Sequence, residues 1–191
     1  SNPGVFQTML DAVRSRLRNN PGVRVISVSQ NDNQNYCRCD SCNASAERHG
    51  QSGLLLLFVN KIAEALEGEF PGAKVMTLAY QYTRSPPKDV VPRKNVIIQL
   101  CSIECSFSQP LSAQENQDFH AALQEWGRIS PELAVWDYVG NFAHYLTPFP
   151  NYAVWADNLR LFAGNNVRQV FEQGDYQTGG ILGDCLPLRV W

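Results

Sequence analysis

The chain has 191 residues and a mass of 21.4 kDa, a length that fits one domain with a core of ordinary size. Its composition is 44% hydrophobic and 18% charged, which is typical of a packed globular protein and excludes a largely disordered one. The net charge of −2 argues against nucleic acid as a partner. The longest apolar run, residues 54–59, is far shorter than the roughly 18 residues of a membrane-spanning helix, so no membrane span is expected.

Apolar periodicity alternates between two types along the chain. Residues 5–17 carry apolar side chains at three-to-four spacing, which predicts a helix, and residues 23–29 are β-branched, which predicts a strand. A polar loop is predicted next, before a helix over residues 52–70. The remaining predictions are strands over 74–82, 95–103, 132–138 and 167–172, and helices over 118–129 and 152–163. This alternation predicts an α/β fold of β-α units with a parallel sheet and right-handed crossovers.

Carboxylates recur where the predicted strands end. Four of the five strands are followed or ended by one, namely Asp32, Glu104, Asp137 and Glu172. The loops that follow parallel strands gather at one edge of the sheet, where α/β enzymes build their sites. Asp and Glu also cap helices that follow strands, so each of the four has a purely structural explanation when taken alone. Their recurrence predicts a shared acidic site.

Aromatic residues accompany these carboxylates at the same strand ends. They are Tyr80, Tyr82, Trp136, Tyr138 and Phe142. The two-residue period of a strand predicts one shared face for Tyr80 and Tyr82, and another for Trp136 and Tyr138. Sugars present apolar C–H faces that stack on rings, and glycosidic cleavage needs a protonated carboxyl and a second group. The pattern favours a sugar site, with core or rim packing of the rings as the alternative.

Three of the six cysteines, Cys37, Cys39 and Cys42, lie close together in the sequence. This density is typical of a structural zinc site, for which His49 could supply a fourth ligand. The alternatives are buried thiols, or the pairing of one of the three with a distant cysteine. Cys101, at a predicted strand end, is interpreted as a small buried apolar residue rather than a nucleophile.

Six short motifs carry a further signal. They are SVSQND (27–32), YCRCDSC (36–42), FVNKIA (58–63), TLAYQYT (77–83), VWDYVGNF (135–142) and VFEQG (170–174). Together they resemble a bacterial domain family, long described as of unknown function, that occurs in glycan-degrading gene clusters of gut bacteria. That family is similar to α-glucuronidases and β-hexosaminidases in having a TIM-barrel catalytic domain, and some members are described as endo-β-N-acetylglucosaminidases that cut N-glycans. The resemblance covers about residues 23–174.

The resemblance also implies roles for individual residues. Hexosaminidase-type sites use an adjacent Asp-Glu pair after the fourth strand, and the substrate's own acetamido group attacks the sugar carbon. The matching position here reads Asn31-Asp32-Asn33, so that pair is missing. By analogy Asp32 is a catalytic or acetamide-orienting carboxylate, Asn31 is a polar positioner and Glu104 is the best candidate for the proton donor.

Other residues would bind the substrate. Asp137 and Glu172 would hold its hydroxyls, with the fallback that one of them is the true acid. The full set of implied substrate-binding residues is Asn31, Tyr80, Tyr82, Trp136, Asp137, Tyr138, Asn141 and Glu172.

The predicted strands are too few for a complete barrel. A TIM barrel has eight strands and about 250 residues, whereas this chain supplies about five strands, which correspond by resemblance to the later part of one. We therefore expect a single domain over residues 1–191 that forms an incomplete TIM barrel. A partial barrel leaves strand edges unpaired and apolar surface exposed, which predicts self-association or a missing barrel half as partner.

These inferences predict a glycoside hydrolase, or a catalytic fragment of one, that acts on N-acetylglucosamine-containing glycans. It would require no cofactor, although the cysteines allow a structural zinc ion. The resemblance implies export to the periplasm or the cell surface. Two alternatives remain open, which are a non-catalytic carbohydrate-binding or scaffold domain and a zinc-stabilised interaction module built around Cys37–Cys42.

Overall fold

The computed structural model describes residues 2–144 and 147–174. Helices and strands alternate along most of this length. In chain order they are α1 (Pro3–Asn19), β1 (Val25–Ser27), α2 (Asp40–His49), α3 (Gln51–Leu66), β2 (Lys74–Ala79), β3 (Val96–Cys101), α4 (Gln117–Ile129), β4 (Leu133–Tyr138), α5 (Tyr152–Gly164) and β5 (Val167–Gln173). There are also two 3-10 helices in this part of the chain. Gln81–Thr83 follows β2, and Gln114–Asn116 precedes α4.

The five strands form one sheet with the order β1-β2-β3-β4-β5, in which every neighbouring pair is parallel. The sheet curls into a half-barrel. This arrangement confirms the predicted fold class of β-α units with a parallel sheet that resembles part of a TIM barrel. Because all strands run the same way, their carboxyl ends lie along one edge.

The hydrophobic core lies between the sheet and the helices. Alternate residues of the strands, such as Val75, Ile98 and Val135, are almost completely buried against it. The helices contribute apolar stripes, represented by Ile62 of α3 and Phe119 of α4. We call the strand surface that packs on this core the helix face, and the opposite surface the inner face. Residues one position apart on a strand therefore belong to different faces.

Two local predictions were wrong. The segment predicted as a polar loop contains α2, a helix with no buried residue and therefore without the apolar periodicity that reveals the other helices. The strand predicted over residues 74–82 ends at Ala79, because Gln81 adopts a left-handed φ of 51° and the chain turns into a 3-10 helix. An irregular segment, residues 84–95, then leads to β3 in place of a full crossover helix.

The edge strand β5 is much less covered than the central strands. Val170 and Phe171 are 38% and 47% exposed, whereas Val96 of β3 is fully buried. None of the helices in the described part of the chain combines the length and apolar character needed to cross a membrane.

Candidate functional site

A cavity of about 390 Å³ opens at the carboxyl edge of the sheet, on the inner face. Its volume lies within the range of about 300–1,000 Å³ that is usual for small-molecule sites. Its lining comes from strand ends and the loops that follow them. The lining residues are Gln30, Asp32, Leu78, Tyr80, Cys101, Ile103, Trp136, Tyr138, Phe142 and Gln173.

One side of the cavity is an aromatic wall. Trp136 and Tyr138 stack with their ring centroids 6.4 Å apart and an interplanar angle of 24°, which confirms that they share a strand face. Phe171 meets Trp136 edge-on at 5.0 Å, and Phe142 meets Tyr138 edge-on at 5.4 Å. The indole Nε1–H of Trp136 donates to Oε1 of Gln173 at 2.6 Å. Because this polar group is satisfied, the wall presents mainly apolar ring surface.

Asp32 lines the same cavity, and two donors fix its carboxylate. The Tyr80 hydroxyl donates to Oδ1 of Asp32 at 2.9 Å, and Nε2 of Gln81 donates to the same oxygen at 3.3 Å. Desolvation and the hydrogen bond to Asp32 raise the pKa of Tyr80, so its hydroxyl remains a donor at neutral pH. Asp32 is the only carboxylate that lines the cavity within the described residues.

A hydrogen-bond network joins the loops that follow β1 and β2. Nε2 of Gln30 donates to the Tyr80 carbonyl at 2.9 Å, and the Thr83 hydroxyl donates to Oε1 of Gln30 at 2.5 Å. Nε2 of Gln34 donates to Oε1 of Gln81 at 3.0 Å. Gln81 has a left-handed backbone conformation, and its side chain bonds to both Asp32 and Gln34. The strained residue therefore helps to position the carboxylate of Asp32.

Glu104 lies beside the cavity but does not line it. It directly follows the lining residue Ile103, and its Oε2 accepts a hydrogen bond from Nη1 of Arg84 at 3.3 Å. The side chain of Glu104 is 41% exposed. Trp126 holds the backbone of Arg84 through its Nε1–H, which donates to the Arg84 carbonyl at 2.8 Å.

Asp137 and Glu172 lie on the helix face, where they are paired with each other in register. Asp137 is only 4% exposed and accepts a hydrogen bond from the Ser102 hydroxyl at 2.5 Å. Desolvation raises the pKa of Asp137, partly offset by the hydrogen bond from Ser102. Although Glu172 as a residue is exposed, protein atoms crowd its carboxyl, and desolvation followed by the charge of Asp137 raises its pKa to about 7. The four strand-end carboxylates share one edge, but only Asp32 reaches the cavity lining.

The remaining predicted site residues lie at or beyond the rim. Tyr82 lies in the 3-10 helix that follows β2, so the prediction that it shares a strand face with Tyr80 was wrong; its ring packs on that of Tyr36 with centroids 4.8 Å apart and an interplanar angle of 38°. Asn31 is exposed, and its carbonyl accepts a bond from a following backbone N–H. Oδ1 of Asn141 accepts from the backbone N–H of Ala143 at 3.0 Å and supports a turn.

Sequence reasoning assigned no site role to several lining residues. Leu78 and Cys101 form the apolar floor, and the two-residue period that runs through Tyr80 and Ile103 could have identified them. Cys101 is 2% exposed, which confirms its interpretation as a buried residue, and burial raises its pKa to about 12. Gln30 and Gln173 also line the cavity. They lie within two residues of Asp32 and Glu172 in the sequence, but no motif indicated a binding role for them.

The three clustered cysteines form a second feature of the same edge. The Sγ atoms of Cys37, Cys39 and Cys42 all lie within 4.8 Å of one another, so these residues could bind a metal ion. Cys37 and Cys39 are exposed, which rules out the alternative that all three are buried thiols. The suggestion that His49 is a fourth ligand was wrong, because His49 lies at the far end of α2 and its Nδ1 is 2.6 Å from Oδ1 of Asp89.

Comparison with known proteins identifies the family. Residues 1–185 match the family described as Domain of unknown function (DUF4838), and the chain therefore belongs to this family. No curated protein and no solved structure matches the chain.

Proposed function

We propose that this member of the DUF4838 family is a glycoside hydrolase, or the catalytic part of one, acting on N-acetylglucosamine-containing glycans. One observation carries the proposal. At the carboxyl edge of a half-barrel, a hydrogen-bonded carboxylate, Asp32, and a stacked pair of rings, Trp136 and Tyr138, line the same cavity. The resemblance found in the sequence supplies the substrate class, and this cavity is where a sugar would bind.

The chemistry of the wall suits a pyranose. The apolar C–H face of a sugar ring would lie against Trp136 and Tyr138, where burial of both surfaces favours binding. Gln173 uses its Oε1 to accept the indole N–H, so its amide N–H groups are the donors that it can offer to sugar hydroxyls. Gln30 lines the same cavity and is fixed by Thr83. Apolar faces and fixed amides are the combination expected of a specific sugar site.

Asp32 is proposed to orient the acetamido group of the substrate. Tyr80 and Gln81 both bond to Oδ1, so the second oxygen of the carboxylate can accept the acetamido N–H. The acetamido oxygen would then attack the anomeric carbon as the glycosidic bond breaks. Water would subsequently add to that carbon and restore the acetamido group. Overall, one water molecule is consumed, with a hydroxyl going to the anomeric carbon and a proton to the leaving oxygen.

Glu104 is proposed as the proton donor to the leaving oxygen. To act, its carboxyl must leave Arg84, with which it forms a partly exposed ion pair. Such pairs contribute only about 0–1 kcal/mol, so contacts with the substrate can compensate for the loss. Asp137 and Glu172 remain candidates for binding hydroxyls of the substrate. Because both lie on the helix face, β4 and β5 would have to rotate to turn these side chains toward the cavity.

A non-catalytic carbohydrate-binding domain is the second candidate. It is favoured by a specific observation, which is that Asp32 is the only lining carboxylate within the described part of the chain and Glu104 is held by Arg84. Ordinary glycoside hydrolysis uses a pair of carboxyl groups across the scissile bond. Stacking on the aromatic wall would by itself support binding without turnover.

Turnover of a released N-glycan and of a chromogenic N-acetylglucosaminide tests the proposal. We expect hydrolysis by the wild type and a loss of about 10²-fold or more in Glu104→Gln, the usual contribution of a general acid. Asp32→Asn should lose activity as well, because an amide cannot replace both acceptor oxygens. Asp118→Asn and Glu125→Gln are matched controls on the exposed surface of α4. Binding without turnover would establish the second candidate, and neither binding nor turnover would contradict both.

A further inference from the structure

We propose that Cys37, Cys39 and Cys42 bind one zinc ion, and that this ion fixes the loop that carries Asp32 and Tyr36. The inference concerns metal binding and loop positioning, so it does not depend on whether the cavity hydrolyses a glycan. It rests on the distances between the three thiols, on their position at the start of α2, and on the contacts that residues 31–39 make with the rest of the protein.

The thiol geometry fits a single thiophilic cation. All three Sγ atoms lie within 4.8 Å of one another, and those of Cys37 and Cys39 are 3.4 Å apart. A tetrahedral zinc ion with Zn–S bonds of about 2.3 Å holds its sulfurs about 3.8 Å apart. Only small side-chain adjustments are therefore needed to close the three ligands around one ion.

Two of the three cysteines lie at the start of α2, which brings their side chains together. Cys39 occupies the N-cap position of this helix, and Cys42 lies in its first turn. Backbone N–H groups and the positive end of the helix dipole stabilise negative charge there. A zinc ion bound by three thiolates carries a net negative charge, which this end of the helix would stabilise.

The loop before the cysteines lacks regular secondary structure and is held by individual hydrogen bonds and ring contacts. Residues 31–39 form no helix or strand, and most of their side chains are exposed. On its way to Cys37 the chain passes Gln34, which bonds to Gln81, and Tyr36, whose ring packs at a tilt against that of Tyr82 with centroids 4.8 Å apart. Nδ2 of Asn43 in α2 donates to the Arg38 carbonyl at 2.9 Å, and an ion held by Cys37, Cys39 and Cys42 would add a second anchor at this distal end of the loop. The proximal end carries Asp32 into the cavity.

The role inferred for the ion is structural. His49, the one histidine near the cluster in sequence, is hydrogen-bonded to Asp89, and none of the three clustered cysteines lines the cavity. Three protein thiolates leave one coordination position for water or another ligand. Because Asp32 is separated from the cluster only by residues 33–36, the expected effect of the ion on the cavity is through the position of the loop.

Metal titration of the intact, reduced chain tests the binding. We expect about one equivalent of Co²⁺ to produce a sulfur-to-cobalt charge-transfer band, and Zn²⁺ to displace it. Cys37→Ser, Cys39→Ser and Cys42→Ser should each weaken binding by at least about 10-fold, the lower end of the effect found for outer-shell residues. Cys105→Ser is the matched control, since that half-buried thiol lies outside the cluster. Fewer than about half an equivalent bound, or equal binding by the serine variants, would overturn the proposal.

Hydrogen exchange tests the positioning role separately. Chelation of the metal should increase exchange over residues 31–42 and leave β3 and β4 unchanged, and the Cys105→Ser variant should respond as the wild type does. Unchanged exchange over residues 31–42 after metal removal would refute the proposed positioning. All of these measurements can be made whether or not glycan turnover is observed.

Discussion

The two faces of β4 differ sharply at the carboxyl edge, although their residues are immediate neighbours in the chain. On the inner face, Trp136 is partly exposed and lines the cavity together with Tyr138, which stacks on it and is 7% exposed. On the helix face, Asp137 is 4% exposed and bonds to Ser102, and Val135 is fully buried in the core. A step of one residue along β4 therefore separates side chains that line the cavity from side chains that pack on the core.

The same contrast runs across the sheet. On β3, Leu100 packs on the helix face with no exposed surface, whereas Leu78 of β2 faces the cavity and is only partly buried. Substitution of Leu100 should therefore lower the free energy of unfolding, whereas substitution of a partly exposed cavity residue should mainly affect ligand binding.

The largest expected effect is on stability. Leu100→Ala removes a fully buried core side chain and should lower the free energy of unfolding by about 2–5 kcal/mol. Leu78→Ala should cost clearly less, because its side chain borders open space. Urea denaturation of both variants measures the difference, and equal losses would show that the two faces are not distinguished as described.

The next effect is on ligand affinity. Trp136→Ala removes the ring that stacks on Tyr138 and contacts Phe171. We expect the affinity for an N-acetylglucosamine oligosaccharide to fall by about 10-fold or more, since aromatic contacts contribute about 0.5–1.5 kcal/mol beyond the area they bury. Calorimetry measures this affinity. Trp155→Ala, which removes a ring on α5, should bind the sugar as the wild type does. A similar loss of affinity in both variants would show that Trp136 is not part of the sugar-binding surface.

A third effect is the pH dependence of stability on the helix face. The pKa of Glu172 is raised from 4.5 to about 7 in the folded protein, so the folded state holds a proton that the unfolded state has released. The free energy of unfolding should therefore fall as the pH rises from about 4.5 to 7. Burial also raises the pKa of Asp137 above its usual value of 3.8, so this residue contributes with the same sign.

Glu172→Gln should remove part of this fall and stabilise the protein above pH 7 relative to the wild type. Denaturation midpoints recorded across this pH range provide the measurement, with Glu125→Gln on the exposed surface of α4 as the control. If the denaturation midpoints of Glu172→Gln and of the wild type change with pH in the same way, the pKa of Glu172 is not raised.

The smallest effect is expected at Gln81. Gln81→Gly relieves the left-handed backbone but makes the unfolded chain more flexible, so stability should change by less than about 1 kcal/mol. The variant loses the side-chain bonds to Asp32 and Gln34. Glycan turnover should therefore fall by about 2- to 10-fold, the equivalent of one ordinary hydrogen bond. Turnover equal to that of the wild type would mean that Gln81 does not position Asp32.

Much of the fold could be predicted from the sequence because its strands are strongly apolar. The run Val96–Cys101 needed no context to be identified, since both of its faces are buried. In contrast, α2 buries none of its side chains and carries no periodic signal. The end of β2 depends on the backbone angle of Gln81, which no pattern of hydrophobic residues records.

The site was predictable in part because successive side chains of a strand point to opposite faces. Strand alternation placed Trp136 and Tyr138 on one face, and it also places Asp137, which lies between them, on the other. That consequence was available from the sequence. The pairing of Glu104 with Arg84, and of His49 with Asp89, depends on loop paths that only the folded structure defines.

The most direct test of the central claim is to follow the tryptophan indole N–H resonances while an N-acetylglucosamine disaccharide is added. The signal of Trp136, identified by its loss in Trp136→Phe, should shift and saturate, because its N–H bonds to Gln173 in the cavity wall. The signals of Trp126 and Trp155, which lie outside the cavity lining, should stay in place. A stationary Trp136 signal at saturating sugar, or a shift confined to Trp126 or Trp155, would contradict a glycan site on the inner face.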